Sequence, residues 1–131
     1  RHEALLFDEE KSVDRALRDY FTAVATCFTS KETPAGCFMI NTSAALAAAS
    51  TDIANTVKSR HAMQEQTLTR FLQQRQLRGE LPPDGDVRQL AQFLNCILQG
   101  MSISAREGAD FTKIMQIAET TLRLWPQVLQ R

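Results

Sequence analysis

The apolar positions between Asp86 and Arg106 predict a helix with more apolar surface than one core can cover. At 100° per residue, two apolar flanks and one narrow polar strip share its circumference. The strip holds Arg88, Gln92, Asn95, Gln99, Ser102 and Arg106. The first flank holds Val87, Leu90, Ala91, Leu94, Leu98 and Met101, and the second holds Phe93, Cys96, Ile97, Gly100 and Ile103. Such a helix needs its own core on one side and a further surface on the other, from a second subunit or a larger intramolecular core.

The next predicted helix also has more apolar surface than one core can cover. Asp110 is expected to open it, it is expected to run from Phe111 to about Trp125, and Pro126 is expected to stop it. Apolar residues cover about half of its circumference. Two such helices form a hairpin suited to a four-helix bundle with a symmetry mate. The predicted dimer interface consists of Phe93, Cys96, Ile97, Gly100, Ile103, Ile114, Ile117, Thr121 and Leu124.

The first half of the chain predicts three further helices. Residues 1–9 suggest a short linker helix, and residues 10–28 have the alternation of faces typical of an amphipathic helix. Breaker residues predict a loop over 29–36. Residues 37–49 carry no charge and have no polar side, which predicts a helix covered on every face.

A long helix is predicted from the capping residues at 50–52 to about Arg78, with Gly79 as its left-handed C-cap residue and Pro82 and Pro83 beyond. His61, Gln64 and Arg75 fall inside its apolar arc. A wet cavity explains that mixture, because ligand pockets combine apolar walls with a few polar groups. A satisfied core histidine, or drift of these residues out to solvent, explains it as well.

A small hydrophobic molecule is the ligand that these helices suggest. Asn41 and Thr42 stand in the uncharged helix, where an unpaired polar group costs about 1–3 kcal/mol, so they bond either neighbouring backbone or a bound molecule. The predicted pocket consists of Phe21, Phe28, Phe38, Asn41, Thr42, His61, Gln64, Phe71, Leu94 and Met101. The aromatic members would fill an ordinary core equally well.

Composition limits the class of protein. The 131 residues fit a single domain, 1–131. Fifteen basic and fifteen acidic residues balance, which argues against nucleic-acid binding by this segment. The three cysteines, Cys27, Cys37 and Cys96, are interpreted as reduced core residues of a cytoplasmic protein. No signal peptide is visible, and no apolar run approaches the roughly 20 residues that span a membrane.

Signatures of catalysis are absent from the sequence. It has no glycine-rich phosphate loop, no nucleophile elbow and only two histidines, which gives no metal-ligand cluster. Cys27 or Cys37 with His61 makes a poor nucleophile and base, because no cationic residue near either thiol would lower its pKa. We therefore expect that the protein is not an enzyme and that it has no catalytic residues, no cofactor and no bound metal.

Several short segments in a fixed order carry a family resemblance. They are Pro34–Asn41 at the start of the uncharged helix, Leu77–Leu81 at the end of the long one, then 86–94, Gly100 and Ala105–Gly108. In this order the chain resembles the C-terminal domain of TetR/AcrR-type transcriptional regulators. The resemblance implies an all-α bundle of about five to six helices. It also implies a homodimer through the last two helices, a small effector, and a helix-turn-helix DNA reader preceding Arg1 and absent from this chain.

The resemblance suggests a transcriptional regulator, expected to be a repressor, that works by allostery. Effector entry between the helices at 10–28, 37–49, 53–78 and 86–106 is expected to move residues 1–7 and thereby the DNA readers. Two alternatives stay open. One is a helical adaptor that binds another protein, and the other is the helical half of a transferase-like enzyme.

Overall fold

Four α-helices and one short 3-10 helix account for the part of the chain that the structure describes. The structure is a computed structural model, and it describes residues 2–30 and 51–129, without the side chains of Thr51 and Ile53. The elements are the 3-10 helix His2–Leu5, α1 Val13–Phe28, α2 Thr51–Leu77, α3 Val87–Arg106 and α4 Phe111–Val128. The all-α prediction is confirmed. The described residues hold four α-helices against the five to six expected, and the predicted helix over 37–49 lies outside them.

Side-chain caps fix where three of the helices begin. The Asp86 carboxylate accepts a hydrogen bond from Gln89 N at 3.0 Å, and the Asp110 carboxylate accepts one from Lys113 N at 3.0 Å, as predicted. Ser12 caps α1 in the same way through Arg15 N at 3.1 Å. Because the hydroxyl satisfies an N–H of the first turn, α1 begins at Val13, three residues later than the apolar pattern alone predicts.

A glycine turn ends α2 as the sequence predicts. Gly79 has φ +85°, Gly79 N donates to Gln76 O at 3.1 Å, and Glu80 N donates to Arg75 O at 3.0 Å. This pair of bonds is the Schellman motif, which satisfies the last carbonyls of a helix when its C′ residue is left-handed. The turn also brings Glu80 back beside Arg75.

Pro126 does not stop the last helix, which continues to Val128 with the proline inside it. A proline removes one backbone N–H and crowds the preceding turn, but it does not prevent the following residues from closing one final turn. Leu129, only 6 % exposed, anchors this end of the chain in the core.

The helices surround a single apolar core. α2 packs most extensively on α3, and α1 packs on α4, while α3 and α4 pack side by side as a hairpin. Arg18 of α1 also pairs with Glu119 of α4. The largest fully buried side chains are Tyr20, Phe21, Phe71, Leu6, Leu17, Leu68, Leu72, Leu90, Leu94, Leu98, Met101 and Ile114. Among the described helices, none has the length and apolar character needed to span a membrane.

The polar strip predicted on α3 does not stay in solvent along its whole length. Asn95 is 3 % exposed and Ser102 is 1 % exposed, whereas Arg88, Gln92 and Arg106 are exposed. Asn95 and Ser102 stand on the side of the strip that borders the first apolar flank. When that flank packs on α2 and the core, it carries these two polar side chains inside with it.

Candidate functional site

Two hydrogen bonds, one of them to a backbone oxygen, connect three helices inside the bundle. Gln64 Nε2 of α2 donates to the Tyr20 hydroxyl of α1 at 3.3 Å, and Asn95 Nδ2 of α3 donates to the backbone oxygen of His61 at 3.2 Å. His61 and Gln64 are three residues apart on α2 and therefore share one face of that helix. We call Tyr20, His61, Gln64 and Asn95 the inner polar cluster. Through it, α2 contacts both α1 and α3 by hydrogen bonds.

Tyr20 places a neutral phenol in this cluster. Its side chain is 2 % exposed, and burial raises its pKa to about 12, because an ionised phenolate loses its hydration there. The hydrogen bond from Gln64 lowers the pKa by a smaller amount, and the negative charge of Glu3 raises it further. Tyr20 is therefore uncharged across the physiological pH range.

His61 is half-buried, and its burial lowers the pKa of the imidazole below the usual value. The neutral ring predominates near pH 7, so one ring nitrogen is a donor and the other is an acceptor. Such a group can bind either a donor or an acceptor of a ligand. Within residues 2–30 and 51–129, no group of three or more His, Cys, Asp and Glu side chains could hold a metal ion.

Asn95 carries the least satisfied atom of the cluster. Its Oδ1 is buried and has no hydrogen-bond partner, while its Nδ2 is used by His61 O. A buried acceptor without a partner costs about 1–3 kcal/mol. A hydrogen bond to this oxygen removes that cost. Asn95 can therefore strengthen the binding of a molecule that carries a hydroxyl or N–H group.

The structure divides the predicted pocket residues into three groups. Fully buried core positions are occupied by Phe21, Phe71, Leu94 and Met101. Half-buried positions are occupied by Phe28, His61 and Gln64. The residues that lie outside the described part of the chain are Phe38, Asn41 and Thr42. His61 and Gln64 are thus brought together with Tyr20 and Asn95, which the helical pattern places on the apolar face of α1 and in the polar strip of α3.

A second surface lies on the outside of the α3–α4 hairpin. Ile103 is 42 % exposed and Leu124 is 49 % exposed, and Cys96 and Gly100 are exposed beside them. We call the outer apolar face the set Phe93, Cys96, Ile97, Gly100, Ile103, Ile117, Leu124 and Val128. Sequence reasoning did not include Val128, because the helix was expected to end before it.

Two residues of the predicted interface point inward instead. Ile114 is fully buried and Thr121 is 3 % exposed, and the Thr121 hydroxyl donates to Ile117 O at 2.9 Å. Cysteine placement also differs from the expectation of core residues. Cys96 is exposed and Cys27 is half-buried, both as free thiols, and Cys37 lies outside the described residues.

Known proteins match nearly the whole chain. Residues 12–121 match the family model described as tetracyclin repressor-like, C-terminal domain. The HTH-type transcriptional repressor ComR of Escherichia coli (strain K12) is 69 % identical over 130 residues, which are 99 % of this chain and 62 % of that protein. The chain therefore spans less than two thirds of the length of this relative.

Solved structures share the fold. Two structures of cysteine mutants of the TetR family transcriptional regulator CifR, complexed with 26-base-pair double-strand operator DNA, superpose with TM-scores of 0.82 and 0.83. Each is 22 % identical and covers 95 % of this chain and 65 % of its own.

Proposed function

Because this chain belongs to the TetR family of transcriptional regulators, we propose that it forms the effector-binding and dimerisation part of a transcriptional repressor. A helix-turn-helix reader outside these residues would bind the DNA. The outer apolar face is the observation that carries this proposal, because it is apolar surface on the two helices that the family resemblance assigns to dimerisation. The 69 % identity to a repressor over nearly the whole chain supports the repressor function.

The proposed dimer places the outer apolar face of one subunit against the same face of another. A two-fold interface is self-complementary, so each subunit contributes α3 and α4 to a four-helix bundle. Burial of apolar surface contributes about 25 cal/mol per Å², and large side chains such as Phe93, Ile97 and Leu124 supply most of it. Gly100 leaves room for a close approach of the helices, because a Cβ at this position would meet nothing within 4 Å apart from its chain neighbours and the backbone of its own helix.

The proposed effector site is the inner polar cluster with the predicted apolar residues around it. Such a site suits a small, mostly apolar molecule that carries a polar group for Asn95 or His61 to bind. No catalytic step is proposed at this site. Its function is to favour one arrangement of the helices over another, by as much as the effector's affinities for the two arrangements differ.

The output of that change is the separation of the two DNA readers. Residues 2–12, which we call the N-terminal arm, lead from the DNA reader into α1 in this proposal. Operator half-sites lie roughly 34–36 Å apart, one helical turn of DNA, so a small shift of the two arms reduces the affinity for the operator.

Sedimentation equilibrium of the full-length protein tests the dimer. We expect the wild type to be a dimer and Leu124→Glu to be a monomer, because the interface would bury the added charge without a partner. Gln92→Glu is the matched control, since it adds the same charge at an exposed position in the polar strip of α3, and it is expected to remain a dimer.

A monomeric wild type would contradict the proposal and would favour the helical adaptor, in which the outer apolar face binds another protein. Operator titration then tests the regulatory output. A dimer that binds no operator DNA would contradict the repressor assignment.

A further inference from the structure

Arg75 is a buried cation near the carboxyl end of α2, and it is only 2 % exposed. Its guanidinium donates to Lys11 O, to Asp8 O at 2.8 Å, and to both carboxylate oxygens of Glu80 at 3.2 Å. The same group lies over the Phe71 ring, 5.4 Å from its centroid. One side chain on α2 therefore contacts two backbone carbonyls of the N-terminal arm.

A second set of contacts connects the same region to the start of α1. The Schellman turn at Gly79 brings Glu80 beside Arg75, and Glu80 Oε1 accepts a hydrogen bond from Val13 N at 3.1 Å. Val13 is the first residue of α1, whose first N–H groups have no partner inside the helix. Arg75 and Glu80 thus hold the arm at Asp8 and Lys11 and the start of α1 at Val13.

Aromatic and exposed contacts extend this connection along the arm. Phe7 packs edge-on against Phe71 with 6.2 Å between ring centroids, and Arg70 lies 5.1 Å from the Phe7 centroid. Arg78 donates to Glu9 O at 2.9 Å and pairs with Glu80 at 3.1 Å. The arm is therefore bound to α2 at several successive residues, and Arg75 is the buried charged side chain among them.

Stability alone is a poor reason for a buried arginine at this position. Replacing a buried ion pair with apolar residues of similar volume is often neutral or stabilising. Arg75 instead fixes the position of the N-terminal arm, because its planar guanidinium binds the arm carbonyls and Glu80 at the same time. An apolar side chain would fill the same space without fixing where the arm lies.

We infer that Arg75 is a positioning residue that makes the N-terminal arm move with α2. Two members of the inner polar cluster, His61 and Gln64, lie on the same helix as Arg75, roughly 16–21 Å from it at 1.5 Å per residue. The sequence between them contains no proline or glycine that would introduce a hinge. A shift of α2 at the cluster then reaches Asp8 and Lys11 through Arg75. This inference rests on the proposed function, since it names how that effector site controls the arm.

Backbone amide exchange in the full-length protein tests the first half of the inference. Lys11 N donates to Asp8 O at 3.2 Å and Val13 N donates to Glu80 Oε1, so both amides report on the held arm. We expect Arg75→Met to speed exchange of both amides by roughly tenfold or more, the effect of losing hydrogen bonds to a charged group. Exchange of core amides in α3 should change far less.

Arg60→Met is the matched control, because Arg60 is an exposed arginine on the same helix. It is expected to leave both amides at wild-type rates. If Arg75→Met does not fold, Arg75→Lys replaces it, since lysine keeps the charge but not the fork, and the same direction with a smaller change is expected. Wild-type exchange at Lys11 and Val13 in the folded variant would overturn the inference.

A double-mutant cycle tests transmission, which a merely structural Arg75 would not show. Gln64→Leu removes the hydrogen bond to Tyr20 and so disturbs α2 at the inner polar cluster. We expect it to change exchange at Lys11 and Val13 severalfold when Arg75 is present and to have a clearly smaller effect in the Arg75→Met background, where the contacts of Phe7 and Arg78 remain. Equal changes in both backgrounds, or no change in either, would overturn the inference.

These measurements need neither operator nor effector. The inference can therefore fail while the dimer and repressor tests succeed, and it can succeed while they fail.

Discussion

Tyr20 shows how burial decides the chemistry of a single residue in this protein. On the helical pattern it belongs to the apolar face of α1, and it is indeed 2 % exposed. Its hydroxyl nevertheless needs a partner in the core, and Gln64 provides one at 3.3 Å from a helix 44 residues further along the chain. The same phenol is a packing residue and a polar group of the inner cluster.

Tyr20→Phe should separate these two contributions. Near pH 7 we expect the variant to be less stable by about 1 kcal/mol, because Gln64 loses its acceptor. The folded pKa of Tyr20, about 12, lies above the ordinary value of 10.0, so its stabilising contribution is complete below pH 10 and is lost as the pH rises toward 12. The wild type should therefore lose about 2 kcal/mol more than the variant over that interval.

Urea unfolding at a series of pH values measures this difference. Because both proteins share every other titrating group, the difference between their free energies of unfolding isolates Tyr20. A difference that stays constant above pH 10 would contradict the raised pKa.

At the scale of the element, the backbone conformation of a glycine decides whether it stabilises or destabilises its helix. Gly79 has φ +85° at the end of α2, a conformation that side chains with a Cβ adopt only with strain. Gly100 lies inside α3 with ordinary helical geometry and open space around it. The Gly79 turn also brings Glu80 to Arg75, so the end of α2 depends on it in two ways.

Substitution by alanine at the two glycines should therefore change stability in opposite directions. We expect Gly79→Ala to lower the free energy of unfolding by about 1 kcal/mol and Gly100→Ala to raise that of the isolated subunit by about 1 kcal/mol. Thermal or denaturant unfolding of both variants measures this, with each serving as the other's control.

Measurements at several protein concentrations separate the effect of Gly100 on the subunit from its effect on association. If the helices of a second subunit approach closely there, Gly100→Ala should weaken association while it stabilises the subunit. Destabilisation of the subunit at every concentration, including dilute solution, would contradict the open space around Gly100.

At the scale of the whole molecule, the charge balance and the apolar surface bear on different parts of the proposed function. The fifteen basic and fifteen acidic residues balance, so the chain has no net positive charge to attract the phosphates of DNA. Large apolar side chains are exposed on the outside of the α3–α4 hairpin and also at Met63 and Leu77 of α2. Polar groups also lie inside, between α1, α2 and α3. The charge balance and the hairpin surface support the proposed function, in which another domain binds DNA.

The 131-residue chain should therefore bind no operator DNA by itself. Fluorescence anisotropy of labelled operator at low salt measures this, because phosphate contacts are strongest there. The full-length protein is the positive control. Saturable, salt-dependent binding by the chain alone would contradict the placement of the DNA reader outside these residues.

Sequence alone determined the features that depend on neighbours along the chain. Asp86 and Asp110 cap helices through an amide three residues away, and Gly79 ends α2 through bonds within five residues. Helical periodicity likewise identified the second apolar flank of α3, since it needs only the 100° rotation per residue. These signals are local, so no knowledge of the tertiary structure is required to find them.

Only the tertiary structure decided which polar residues go inside and what they bind. The partners of Arg75 include Asp8, 67 residues away, and Asn95 reaches His61 across 34 residues. Asn95 lies at the edge of an apolar flank, where the sequence permits either burial or exposure, and the packing of α3 on α2 settles it. Contacts between distant residues depend on how the helices pack, because the pattern of one helix does not specify the surface that covers it.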